Sequence, residues 1–64
     1  VKEIAQAIEQ TGSRLPLGGV VRFTQNHLAC ELWQEGATVF LAQFDGRKAV
    51  GHWKADQSEL LNNA

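Results

Sequence analysis

NHLACELWQEG, residues 26–36, can be read in two ways, and the fold depends on the choice. As a helix, Asn26 caps it, Leu28, Ala29, Leu32 and Trp33 form an apolar stripe, and Gly36 closes it. As a strand, Leu28, Cys30 and Leu32 alternate with Ala29, Glu31 and Trp33, so that two different surfaces result. The helical reading turns the last hairpin into a wing and yields a winged-helix-like arrangement, with residues 27–35 helical. The strand reading makes this stretch the second strand of a meander.

The surroundings favour the strand. From Val20 onward the apolar runs are short: VVRFT, LACELW, TVFLAQF and KAVGHWK, separated by QNH, QEGA and DGR. Turn signals recurring about every ten residues are the pattern of a small antiparallel sheet. Upstream, VKEIAQAIEQTG places Val1, Ile4, Ala5 and Ile8 at helical spacing, with Lys2, Glu3, Gln6, Glu9 and Gln10 opposite and Gly12 as the stop. SRLPLGG then forms a connector, since Pro16 blocks continuation of the helix. At the other end, Asp56 followed by Glu59 reads as a capping box for a short final helix. The expected fold is therefore α+β: an N-terminal helix packed on a four-strand antiparallel meander, then a short C-terminal helix, in a single domain over residues 1–64.

Hairpin register converts strands into surfaces. A two-residue turn at Asp45-Gly46 opposes Phe44 to Arg47, Ala42 to Ala49, Phe40 to Gly51 and Thr38 to Trp53. One face then collects Phe40, Ala42, Phe44, Ala49 and Trp53, with Phe40 over Gly51. The other collects Val39, Leu41 and Val50, with Gln43, Lys48 and His52 around them. In the first hairpin, a turn at Gln25-Asn26 groups Val21, Phe23, Leu28, Cys30 and Leu32. The expected core is Ile4, Ile8, Val21, Phe23, Leu28, Cys30, Leu32, Phe40, Ala42 and Phe44, with Trp53 at its margin.

Composition limits the function. Sixty-four residues with one cysteine, Cys30, exclude an internal disulfide, a usage that fits a reducing, cytoplasmic setting. A core of this size supplies about 3–5 kcal/mol, so a partner subunit is a natural supplement. No apolar run reaches the roughly 18 residues of a membrane span, and no membrane association is expected. The start at Val1 rather than Met is what a processed or excised piece would show. The formal charge is −1 and the pI about 6.1, a balance unlike that of proteins built for non-specific phosphate neutralisation.

Chemical motifs are sparse. His27 and Cys30 have His-x-x-Cys spacing with His52 as a third ligand candidate, but structural zinc takes four ligands, and Cys30 and His27 point to opposite faces. A Cys–His nucleophile fails in the same way, because reactive cysteines are exposed in electropositive surroundings. LPLGGVV lacks the helix that a phosphate-cradling loop must open. No enzyme activity, metal or cofactor is expected.

Two functions remain. The first is a non-enzymatic interaction or regulatory module, a homodimer or the docking partner of another protein. It would act through the second apolar sheet face, Val39, Leu41 and Val50. The alternative is a nucleic-acid-binding regulator using the 43–54 hairpin, with Arg22, Arg47, Lys48, His52 and Lys54 toward phosphates and Trp53 or Trp33 stacking on a base. In the expected register Trp53 faces away from Lys48, His52 and Lys54, which weakens that alternative.

Overall fold

A computed structural model describes residues 1–62. The elements run α1 (Lys2–Thr11), β1 (Val21–Gln25), β2 (Leu28–Glu35), β3 (Thr38–Asp45), β4 (Lys48–Asp56) and α2 (Gln57–Asn62). The strands form one antiparallel sheet in the order β1-β2-β3-β4. The α+β meander with a helix at each end is the architecture expected, and residues 28–35 are strand rather than helix.

Local chemistry explains these boundaries. Asn26 and His27 both take positive φ (52° and 68°) in the two-residue turn between β1 and β2. That left-handed pair makes a type I′ turn, whose twist matches the strands it joins. It also breaks any helix that Asn26 would have capped. α1 ends in a Schellman arrangement, with the Gly12 N–H donating to Glu9 O (3.3 Å) and the Ser13 N–H to Ile8 O (3.2 Å). At the start of α2 the Asp56 N–H donates to Glu59 Oε1 (3.4 Å), the return bond of the expected capping box.

The first turn sits one residue later than expected, at Asn26-His27, which pairs Phe23 with Cys30 and Val21 with Leu32. Sliding a two-residue turn by one position moves every partner by two, so the faces survive. Between β2 and β3 the turn is Gly36-Ala37, with Glu35 opposite Thr38 and Leu32 opposite Leu41. This register joins the Cys30 and Leu32 face to Val39 and Leu41, not to Phe40 and Phe44.

The last hairpin departs further. Its turn is Gly46-Arg47, with Gly46 at φ 63° in the first central position, and Asp45 pairs with Lys48. Phe44 pairs with Ala49 but Gln43 pairs with Gly51, leaving Val50 without a partner of its own. This β-bulge reverses the parity of everything after it. Trp53 and Ala55 oppose Leu41 and Val39, and His52 and Lys54 oppose Ala42 and Phe40. The expected pairing of Trp53 with the Phe40 face is thus corrected, and Trp53 rather than Phe40 lies over Gly51. A Cβ on Gly51 would stand 2.7 Å from Trp53 Cζ3.

The core forms on one face of the sheet: Ile4 and Ala7 of α1, Cys30, Leu32, Val39, Leu41 and Ala55, and Leu60 of α2. Ala5, Ile8, Leu15, Leu17, Val21, Phe23 and Trp53 pack around it. Phe40 and Phe44 are not part of this cluster, contrary to expectation, and Ala42 is buried on the other face. Gln34 secures the rim: its Oε1 accepts from the Leu17 N–H (2.8 Å), and its Nε2 donates to Gly36 O (3.0 Å) and Gln57 Oε1 (3.1 Å). The connector, the second turn and α2 are thereby held to the same face.

Candidate interaction face

With both helices and the connector on one side, the other side of the sheet is left uncovered among the described residues. Its occupants follow from register. Trp33 lies opposite Phe40, and Phe40 opposite Lys54. In the next row Arg22, Glu31, Ala42 and His52 run across all four strands. Beyond them come Thr24, Ala29, Phe44 and Ala49.

The aromatic rings on this face stack on one another. Trp33 and Phe40 have centroids 5.4 Å apart at an interplanar angle of 13°, and Phe40 and His52 are 6.3 Å apart at 27°. Such offset stacks contribute about 0.5–1.5 kcal/mol beyond area burial. The Trp33 Nε1–H donates to Glu35 Oε2 (2.8 Å), two residues along the same strand, which sets the indole's orientation. Arg22 Nε donates to Glu31 Oε2 at 3.0 Å, but the Arg22 side chain is 73% exposed and the pair is largely solvated. Arg22, Thr24, Ala29, Glu31 and Phe44 line a shallow recess at the sheet edge. Trp33, Phe40 and Phe44 are each half-buried. Their shielding comes from sheet neighbours rather than from a covering element.

The residues expected from sequence are redistributed. Val39 and Leu41, expected on a docking surface, are 0% and 1% exposed inside the core, because the Gly36-Ala37 turn brings them beneath α1. Val50 is exposed (48%), but on the bulge and apart from them. Of the basic candidates, Arg22, His52 and Lys54 share the open face, whereas Arg47 stands in the turn and Lys48 pairs with Asp45 at the tip. Trp53 points into the helix-covered side. The six residues therefore do not form one surface.

Phe40 and Phe44 were missed as surface groups, having been expected in the core, and Trp33, a stacking candidate, was not grouped with them although the signal was present. In WQEGATVF a two-residue turn at Gly36-Ala37 pairs Trp33 with Phe40 at once. The metal and nucleophile motifs disperse: Cys30 is buried with its thiol toward Leu28 O (3.6 Å), while His27 lies in the exposed turn. Among the described residues no three His, Cys, Asp or Glu side chains converge, and no helix is long and apolar enough to cross a membrane. Compared with known proteins, the chain matches no family model, no curated sequence and no solved structure.

Proposed function

We propose that the protein is a non-enzymatic interaction module that docks on a protein through the open face of its sheet. The supporting observation is the stacked row Trp33, Phe40 and His52, with Phe44 beside it, on a surface to which neither helix nor the connector contributes. Aromatic side chains ringed by polar ones are the composition of docking surfaces, because large rigid rings bury much area at little entropic cost. The docking residues of this reading are Trp33, Phe40 and Phe44, with Arg22, Glu31, Glu35, His52 and Lys54 as the polar rim. A single buried thiol suits a reducing compartment such as the cytoplasm.

A single-stranded nucleic acid is the second reading, since Phe40 and Trp33 share their face with His52 and Lys54. Against it stand Glu31 and Glu35 on that same surface, the engagement of Arg22 by Glu31, and the net charge of −1. The protein reading is therefore preferred.

The test is photo-crosslinking in the native host from p-benzoylphenylalanine in place of Phe44. A discrete protein adduct that disappears when Phe40→Lys is added supports docking through this face. An adduct destroyed by nuclease, or none, rejects it.

A further inference from the structure

The two outer edges of the sheet are closed to different degrees. In an antiparallel pair, residues that bond to the neighbouring strand alternate with residues whose N–H and C=O point away from it. The Gln57 N–H donates to Ala37 O (2.7 Å), one step beyond the Thr38–Asp56 pair. The pairs at every second position behind it, Ala55 with Val39, Trp53 with Leu41 and Gly51 with Gln43, are therefore bonded as well. His52, Lys54 and Asp56 turn their backbone groups outward. On β1, where the Gln25–Leu28 pair closes a two-residue turn, Arg22 and Thr24 face outward. There α1 reaches the edge, and Gln10 Nε2 donates to Thr24 O (3.4 Å).

The β4 edge is open over a bounded stretch. The bulge at Val50 interrupts it on one side, and on the other the Asp56 N–H is already given to Glu59 Oε1. Between them the outward N–H and C=O groups of His52 and Lys54 have no partner among the described residues. Val50 and Asp56 lie equally far from Trp53 along the strand, so the stretch is symmetric about Trp53.

That symmetry is what an antiparallel copy of the same strand requires. Centred on Trp53, it sets His52 opposite Lys54 of the copy and Lys54 opposite its His52, so each free donor meets a free acceptor. Each Val50 falls opposite an Asp56 whose donor is already satisfied. Trp53 meets Trp53 of the copy in a non-hydrogen-bonded pair, the closer kind, with Cα atoms about 4.5 Å apart. Both rings are half-buried on the helix-covered side, and aromatic pairs at facing positions stabilise antiparallel strands. Gly51 faces Ala55 of the copy, which leaves room beside the rings. Other centres fit worse. One on His52 calls on the bulged Val50; one on Lys54 needs the Asp56 donor that Glu59 holds and sets lysine against lysine. A longer straight strand from another protein would meet both interruptions.

We infer that β4 pairs with β4 of a second copy, about a two-fold axis through Trp53 and perpendicular to the sheet. The two sheets become one, with every helix on one side and the two open faces adjacent on the other. This pairing leaves the open face free and does not depend on the docking reading above.

Sedimentation of the purified chain from micromolar to millimolar concentration should show an apparent mass rising toward twice that of the monomer. Over the same range, exchange of the His52 and Lys54 amides should slow. In a mixed-label sample, isotope-filtered NOEs should join Trp53 Hα of one copy to Trp53 Hα of the other. Lys54→Pro tests the edge directly. Its N–H points away from β3, so proline there removes no ladder bond from the monomer. The variant should fold, yet self-associate at least about tenfold more weakly, having lost one donor in each copy. Lys54→Ala keeps that N–H and should associate as the parent does. A parent that stays monomeric, a folded Lys54→Pro chain that associates as tightly as the parent, Lys54→Ala as weak as Lys54→Pro, or NOEs between copies elsewhere would each overturn the inference. If Lys54→Pro does not fold, the Trp53 NOE and the amide exchange of the unaltered chain decide. The Phe44 crosslink reports on the open face alone, so either reading can fail without the other.

Discussion

The two faces of the sheet are built from different chemistry. Under α1 the strands present Leu32, Val39, Leu41 and Ala55, all buried. On the other side Trp33, Phe40 and Phe44 are half-buried. α1 contributes Ile4 and Ala7, a branched and a small residue, to the first face. Small residues let a helix lie close to a flat aliphatic surface, where close packing recovers the most dispersion energy. Aromatic rings can stack across neighbouring strands and shield one another without a helix. On the docking function proposed above, the difference separates the two tasks of a small domain, with stability concentrated on one face and recognition on the other.

That separation can be tested by substitution. Leu41→Ala should have the largest effect, because it empties a side chain that is 1% exposed at the centre of the core. The expected loss of about 2–5 kcal/mol is comparable to the whole stability of a domain this small. Chemical denaturation followed by circular dichroism should show a chain largely unfolded in buffer, and a near-normal midpoint would mean that the core lies elsewhere.

Gly51→Ala comes next. The added methyl would meet the Trp53 ring, and Gln43 Oε1 lies 3.3 Å from the same point. Overpacking of this kind costs about 1–3 kcal/mol. Most of that cost should vanish in a Trp53→Ala background, which a double-mutant cycle of thermal melts would measure. An undiminished cost would place the constraint in the backbone of the bulge rather than in the ring.

Phe40→Ser should sharpen the contrast. Losing the stacks with Trp33 and His52 costs about 1 kcal/mol, so the melting temperature of dilute protein should fall by roughly 4–8 °C while the chain stays folded in buffer. Association through the open face should nevertheless be lost. If Phe40→Ser unfolds the chain as Leu41→Ala does, the division of labour between the faces is wrong. The smallest effect belongs to Arg22→Ala, which removes the solvated pair with Glu31 and should change stability by under about 0.5 kcal/mol at any salt concentration.

Much of this arrangement was legible. The amphipathic run before Gly12, the regular spacing of turns and the Asp56–Glu59 pair all record local rules, and each named its element. The grouping of Phe40, Ala42 and Phe44 with Ala49 also follows from alternation, and the register agrees with it. The candidate site was less legible for two reasons. Alternation groups the residues within a strand, but pairing across Gly36-Ala37 decides which groups of β2 and β3 share a side. In KAVGHWKAD, Ala49 and Val50 are both small or apolar, so neither parity is contradicted before the bulge. Trp53 was consequently assigned to the wrong face, and His52 and Lys54 with it.

The sequence by itself determined the kinds of element, their order, and the positions of the turns to within one residue. These depend on backbone preferences of Asn and Gly and on side-chain periods of two and 3.6, which act over a few neighbours. Tertiary structure alone decided which side of the sheet the helices cover and where the last strand changes parity. Burying Leu41 and Val39 together with Trp53 and Ala55 under α1 requires strand pairing, the bulge at Val50 and the helix to form as one. The free energy of that burial belongs to the assembled face, so no single segment specifies it.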